Sequence, residues 1–199
     1  MLASPRPSPA EAAPQPERKS NFGKPSMVLL HICYIVLTCG LLAVISASAD
    51  AQAVAVFDFE LIDTSLEGAI NGLRGDEQTR LGRLSDQLRQ RLAESGRFSL
   101  VDVTPIADEA RESNLQACGG CDTRLAKRVG AELAITGTVQ KVSNLILNMN
   151  IYIRDVSSGG TVAAMSADMR GNTDESWSRT LDWLIRNRLL VPDGPRRVP

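Results

Sequence analysis

Hydrophobic and polar positions recur with two different periods along the chain, and these periods predict its secondary structure. The segment "AVAVFDFELI" at 53–62 is apolar on both faces at first, as in a central strand. Over 77–95 four leucines recur at helical spacing: Leu81, Leu84, Leu88 and Leu92. Gly96 ends this helix, and "RFSLVDV" at 97–103 predicts a second strand. Strand, helix and strand in this order predict a βαβ unit with parallel strands.

The second half of the chain shows the two-residue period of strands. Segment 144–156 has alternating apolar positions at Leu145, Leu147, Met149, Ile151 and Ile153. The polar positions between them are Asn148, Asn150, Tyr152 and Arg154. One face should therefore pack on the core and the other should meet solvent. We favour a plain solvent-facing surface for the polar row, with a recognition face as the alternative.

The remaining elements complete a fold prediction. Segments 132–142 and 161–170 flank the alternating strand and predict an antiparallel meander. Asp122 should cap a helix before the meander, and Asn172 should open a last helix after it. The expected order is β-α-β-α-α-β-β-β-α. This order predicts a single α/β domain with an α+β tendency, in which helices pack on a mixed sheet.

The chain also divides by composition. Residues 1–25 are rich in Pro and Ala and predict a disordered leader, whereas 26–49 contain no Asp, Glu, Lys or Arg. About 20 apolar residues span a bilayer, so 26–49 form a signal peptide or a membrane anchor. The small-residue pattern of "SASADAQA" is typical of a processing site, but it leaves open whether the segment is cleaved and whether the true start of the protein is Met27. In each case 50–191 should be an exported α/β domain and 192–199 a flexible tail.

Export places this domain in the periplasm, or on the periplasmic side of the inner membrane if residues 26–49 stay attached.

The composition of the chain excludes several classes of function. The only histidine, His31, lies in the apolar segment, so the domain lacks the histidine of a Ser-His-Asp triad, a Cys-His nucleophile or an HExxH zinc site. The formal net charge is −1, which requires no basic face and predicts no nucleic-acid partner.

Two carboxylates stand out in the first predicted strand. Asp58 and Glu60 should share one strand face about 7 Å apart. Paired carboxylates can perform acid–base catalysis. The polar end of a strand commonly carries such residues, and we favour this structural interpretation.

Cys118 and Cys121 lie two residues apart in "ACGGCDTRLAKRVGAE". In an oxidising compartment neighbouring thiols usually form a disulfide, and two intervening glycines allow the short ring to close. A redox-active pair is one alternative, because a helix N-terminus lowers the pKa of a thiol, although Asp122 opposes this effect. A soft-metal site, for example for copper(I), is the other. We favour a structural disulfide.

Several phrases of the sequence resemble known families. "VAVFDFE", "VGAELAITGTVQKV" and "IYIRDVSSGGTV" are similar to the small α/β domain of the curli secretion component and to the N-terminal domain of the Tol-Pal translocation protein TolB, over roughly 53–170. "CGGC", "QKVSNLILNMN" and "RGNTDESW" resemble an exported bacterial family, domain of unknown function 2380. The resemblance implies the α/β fold and brings no established activity. The chain has neither the pore-forming hairpins of the curli component nor the propeller of TolB.

These observations together predict an exported, non-catalytic accessory or protein-binding module. Its partner would be a periplasmic or envelope protein, and no cofactor is expected. The alternative is a periplasmic thiol-disulfide or copper-handling factor that acts through Cys118 and Cys121.

Overall fold

The computed structural model describes residues 51–192 and 194–195. The predicted leader (1–25) and the predicted signal peptide or anchor (26–49) lie outside the described residues, as does most of the predicted tail. Among the residues that are described, no helix is both long and apolar enough to cross a membrane.

The described part of the chain forms six strands and five α-helices. Their bounds are β1 (Gln52–Val56), β2 (Glu60–Asp63), α1 (Leu66–Asn71), α2 (Gly75–Glu94), β3 (Phe98–Leu100), α3 (Ala107–Glu112), α4 (Cys121–Arg128), β4 (Leu133–Ser143), β5 (Ile146–Asp155), β6 (Thr161–Met169) and α5 (Asp174–Leu184). A 3-10 turn at Thr104–Ile106 precedes α3, and a π-helical turn at Ile185–Leu189 extends α5. The predicted α/β class is confirmed.

The strands form one mixed sheet in the order β3-β1-β4-β5-β6, and β2 also pairs with β4. Strand β1 is parallel to both β3 and β4, which confirms the predicted βαβ unit. Strands β4, β5 and β6 are antiparallel to one another, which confirms the predicted meander.

The prediction of one continuous strand over 53–62 is wrong. Val56 pairs with Ile135, and Glu60 pairs with Thr138. Three residues of this segment therefore lie opposite only two residues of β4, and the extra residue interrupts the pairing as in a β-bulge. At the interruption the Phe59 N–H donates to Ser85 Oγ on α2 at 2.9 Å instead of to the sheet.

Helix boundaries also differ from the predictions. The segment after β2 contains α1, which the sequence patterns did not predict and whose N-terminus is capped by Ser65. Gly120 occupies the N-cap position of α4, so Asp122 lies inside the first turn. Thr173 rather than Asn172 caps α5, with Thr173 Oγ1 accepting from the Ser176 N–H at 3.2 Å.

The sheet has helices on both faces. On one face α2 and α5 cover the larger core, which contains the four predicted leucines of α2 and Trp177. On the other face α3 and α4 cover a smaller core around Ala55 and Phe57. Leu145 is the exception to the predicted apolar face of β5, because it precedes the strand and is 73% exposed.

Candidate functional site

Cys118 and Cys121 lie where the loop after α3 enters α4. Their Sγ atoms are at bonding distance, and their Cα atoms are 5.6 Å apart, which is within the usual range for a disulfide. Gly119 and Gly120 between them have φ of 64° and 91°, which glycine adopts without strain. Cys121 is buried at the first position of α4. The geometry suits a short staple at the start of this helix.

The polar row of β5 is less exposed than the alternation predicts. Asn150 is buried, and its Nδ2 lies 3.4 Å from Thr138 Oγ1. Asn148 donates to Asp168 Oδ1 at 2.8 Å, and Tyr152 is half-buried. A recognition face on this row stays a prediction.

Arg154, the last member of the row, contacts both α4 and the β5–β6 turn. Its Nη1 lies 2.9 Å from Oδ1 of the buried Asp122 on α4. Its Nη2 donates to the Gly159 carbonyl at 2.7 Å in the β5–β6 turn. These contacts use the guanidinium to fix α4 against the meander.

A buried lysine network lies at the β4–β5 hairpin. Lys141 is fully buried, and its Nζ lies 2.7 Å from Glu77 Oε1, 3.1 Å from Asp63 Oδ2 and 3.1 Å from Glu67 Oε2. Glu77 is also fully buried, and Asn172 Nδ2 donates to its Oε1 at 2.6 Å. Sequence reasoning missed this cluster. The sequence feature that could have indicated the cluster is a lysine at an inward-facing position of β4, two residues after Val139.

The charges of this network stabilise one another. Burial by itself lowers the pKa of Lys141, but hydrogen bonds to Glu77, Glu67 and Asp63 outweigh this effect and hold the pKa above its ordinary value. Hydrogen bonds from Lys141 and Asn144 hold the pKa of Glu67 below its ordinary value. Three carboxylates around one ammonium leave the network with a net charge of −2 (−3 + 1).

Exposed apolar side chains lie at the same end of the sheet. We call this set the hairpin-end surface: Leu66, Ile70, Leu73, Val142, Leu145 and Ile146. The first three belong to α1 and the loop after it, and the others belong to the β4–β5 hairpin. Glu67 joins the two parts, because its Oε2 accepts from Asn144 Nδ2 at 2.8 Å and contacts Lys141. Apolar patches rimmed by polar residues mark interaction sites.

Asp58 and Glu60 do not share a strand face as predicted, because Asp58 lies in the interruption between β1 and β2. Asp58 is exposed, and its Oδ1 forms an ion pair with Arg89 Nη2 at 2.6 Å. Glu60 is half-buried, and burial raises the pKa of its carboxyl group although the Leu115 N–H donates to it at 3.3 Å. Both carboxylates line a cavity of about 340 Å³ beside the end of β1.

Within residues 51–192 and 194–195, no group of three or more His, Cys, Asp or Glu side chains is placed to hold a metal ion.

The geometry defines a small α/β domain whose mixed sheet carries helices on both faces and an apolar surface at one end. Residues 52–189 match the family model DUF3280, described as "Protein of unknown function (DUF2380)". The chain belongs to this family, and the predicted resemblance to it is confirmed. No curated protein sequence matches the chain significantly.

Several solved structures are similar to this chain at low identity. The LpoB C-terminal domain from Salmonella enterica is 15% identical with a TM-score of 0.45, and the match covers 68% of this chain and 93% of that one. Lipoprotein GNA1162 from Neisseria meningitidis is 16% identical with a TM-score of 0.40, over 68% and 93% of the two chains. TolB from Acinetobacter baumannii is 13% identical with a TM-score of 0.38, over 69% and 29%. The predicted distant similarity to TolB is thus found.

Proposed function

We propose that this chain is an exported, non-catalytic accessory module that binds another protein of the cell envelope. The observation that carries the proposal is the hairpin-end surface. Leu66 and Leu145 are 77% and 73% exposed there, and the surface includes four further exposed apolar side chains. Large exposed apolar side chains cost solubility unless a partner covers them, so their concentration at one end indicates a binding surface.

The charges at the rim favour a protein partner over a lipid surface. The lysine network beneath the surface has a net charge of −2, and the nearby Arg74 is paired with Asp76 at 2.8 Å and Glu67 at 3.2 Å. Anionic lipid surfaces attract basic rims and repel acidic ones. The surface therefore fits a protein that presents apolar side chains bordered by Lys or Arg.

The location rests on the composition of residues 26–49, and intact mass spectrometry of the protein purified from its own cells tests it. We expect a mature N-terminus between Asp50 and Val54 in the periplasmic fraction, or an uncleaved chain in the inner-membrane fraction. A soluble cytoplasmic chain that retains residues 1–49 would contradict export.

Site-specific photo-crosslinking tests the binding surface. The full-length chain carries a photoreactive phenylalanine analogue at Leu145, and the matched control carries it at Trp183, an exposed apolar position on α5. We expect one envelope protein to be captured at Leu145 and not at Trp183. With the purified partner, isothermal titration calorimetry should show at least about tenfold weaker binding for Ile70→Glu, because a buried unpaired charge is costly.

Other outcomes would contradict the proposal. Adducts between two copies of the chain would indicate self-association, and adducts with lipid alone would indicate a membrane surface. Equal capture from Leu145 and Trp183 would indicate that the hairpin-end surface has no special role. Affinity for the captured partner that Ile70→Glu leaves unchanged would place the contact elsewhere.

A further inference from the structure

The cavity beside β1 lies at a distinctive point of the sheet. Strand β1 has β3 on one side and β4 on the other, while α2 covers one face and α3 the other. The chain therefore leaves β1 where the two crossover connections diverge. In α/β sheets such a point, at the carboxyl end of a strand, is where ligands bind. The volume of about 340 Å³ lies within the range of small-molecule sites.

The cavity combines apolar walls with a small number of polar groups. Its walls include Phe57 and Phe59, which are both buried, and Leu81 on α2. Aromatic walls favour a flat apolar body through ring contacts. A ligand that binds here should therefore carry an aromatic or similarly flat group.

The two arginines at the cavity are already paired. Arg89 Nη2 lies 2.6 Å from Asp58 Oδ1 and also donates to the Val56 carbonyl at 2.9 Å. Arg111 on α3 forms an ion pair with Asp108. Both guanidinium groups have carboxylate partners, which offset part of their attraction for an anionic ligand.

Glu60 lines the cavity and keeps most of its hydrogen-bonding capacity. Its Oε1 accepts a long hydrogen bond of 3.3 Å from the Leu115 N–H, and within the described residues its carboxylate has no ion-pair partner. The charged side chains that line the cavity are Asp58, Glu60, Arg89 and Arg111, and with Asp108, the partner of Arg111, their charges sum to −1 (−3 + 2). A half-buried carboxylate of this kind is best satisfied by a charged donor.

We propose that this cavity is a small-molecule site for primary amines with an aromatic body, in which Glu60 receives the ammonium group and the apolar lining of the cavity receives the ring. This site lies apart from the hairpin-end surface and is independent of the proposed protein partner.

Gly82 supplies a second observation at the same place. It lies inside α2, where glycine is less favourable than alanine, and it lines the cavity. A Cβ at this position would meet no atom within 4 Å, so no close packing requires glycine. The missing side chain leaves the wall of the cavity open to a ligand.

Isothermal titration calorimetry of the full-length protein tests the site with three probes of similar size. 2-Phenylethylamine is the cationic probe, 2-phenylethanol is the neutral one and phenylacetate is the anionic one. We expect the amine to bind about tenfold more tightly than the alcohol, as for a charge-assisted hydrogen bond, and phenylacetate to bind most weakly.

Two variants test the roles of individual residues. Glu60→Gln keeps the size of the side chain and should weaken amine binding by about tenfold while binding of the alcohol stays unchanged. Gly82→Leu should weaken all probes by filling the cavity, and Gly82→Ala is its control with only one added carbon. Circular dichroism checks that each variant is folded.

The proposal is overturned if the amine shows no saturable binding or if phenylacetate binds more tightly than the amine. It is also overturned if amine affinity is the same in wild type, Glu60→Gln and Gly82→Leu, because binding would then occur elsewhere.

Discussion

Replacing Lys141 with methionine removes the only ammonium group from the lysine network. Methionine is unbranched and of similar length, so most of the packing of the side chain is kept. Without the ammonium group, the fully buried Glu77 keeps only the hydrogen bond that Asn172 donates to it. Glu77 Oε2 already has no hydrogen-bond partner among the described residues. The variant therefore places an uncompensated charge in the interior.

The expected loss is large on the scale of a small domain. Removing one partner of a buried ion pair lowers the free energy of unfolding by about 3–5 kcal/mol. Domains of this size are stable by only about 5–15 kcal/mol in total. The double variant Lys141→Met/Glu77→Met removes both buried charges, and we expect it to be at least about 2 kcal/mol more stable than Lys141→Met alone.

Urea unfolding of the full-length protein, followed by tryptophan fluorescence, measures these differences. Trp177 is 1% exposed and its emission should shift on unfolding. Lys127→Met is the matched control, because Lys127 is exposed on α4 and its loss should change the free energy of unfolding by less than about 0.5 kcal/mol. The reasoning is refuted if Lys141→Met behaves like Lys127→Met, or if the double variant is less stable than the single one.

The same network predicts a pH dependence. The pKa of Lys141 is raised above its ordinary 10.5, so its stabilisation is complete below that pH and is lost as pH rises through the folded-state value. Burial alone would raise the pKa of Asp63, but hydrogen bonds from Ser65 and contact with Lys141 outweigh it and hold the pKa below the ordinary 3.8. Its contribution is complete above that pH and is lost as pH falls through the folded-state value. The urea concentration at the midpoint of unfolding should therefore decrease at both low and high pH. The decrease at high pH should be smaller in Lys141→Met.

Three further predictions concern local geometry. Cys118→Ser/Cys121→Ser removes the short disulfide ring and should lower the free energy of unfolding by about 2 kcal/mol, without a redox or copper phenotype. A redox or copper phenotype in a variant of unchanged stability would instead favour a thiol-disulfide or copper-handling role for the pair. Gly137→Ala should lower the free energy of unfolding by about 1–3 kcal/mol, because its Cβ would collide with the Phe59 ring. In urea unfolding, the double variant Gly137→Ala/Phe59→Leu should recover part of this loss. Losses that simply add in the double variant would contradict the contact. Gly82→Ala should raise the melting temperature and increase the free energy of unfolding by about 0.5–1 kcal/mol, since the position is helical and a Cβ there meets no other atom. A lower melting temperature would show that the glycine is needed for packing.

Sequence patterns predicted most of the elements because each pattern depends on local geometry. The helical spacing of the leucines in α2 and the two-residue period of β5 both follow from which side chains face the core. The pairing of β1 with β3 follows from the order of the elements, since a strand-helix-strand connection normally gives parallel strands. The proximity of Cys118 and Cys121 follows from their spacing alone.

Local patterns could not predict the interruption at Phe59 or the helix α1. The interruption arises because Phe59 lies over Gly137, a residue 78 positions later, and because Ser85 on α2 accepts its N–H. Asn172 looked like a helix cap, but tertiary contacts draw its side chain to Glu77. Each of these features depends on a partner that is distant in the sequence.

By itself, the sequence determined the α/β class, the parallel and antiparallel halves of the sheet and the position of the cysteine pair, because periodicity and spacing encode local geometry. Only the tertiary structure decided which polar side chains are buried together and which apolar ones are left exposed. The Lys141 network draws its carboxylates from β2, α1 and α2, and the cavity at Glu60 is enclosed by α2 and α3. Burial and charge pairing are properties of the packed chain, since they require elements from separate parts of the sequence to meet.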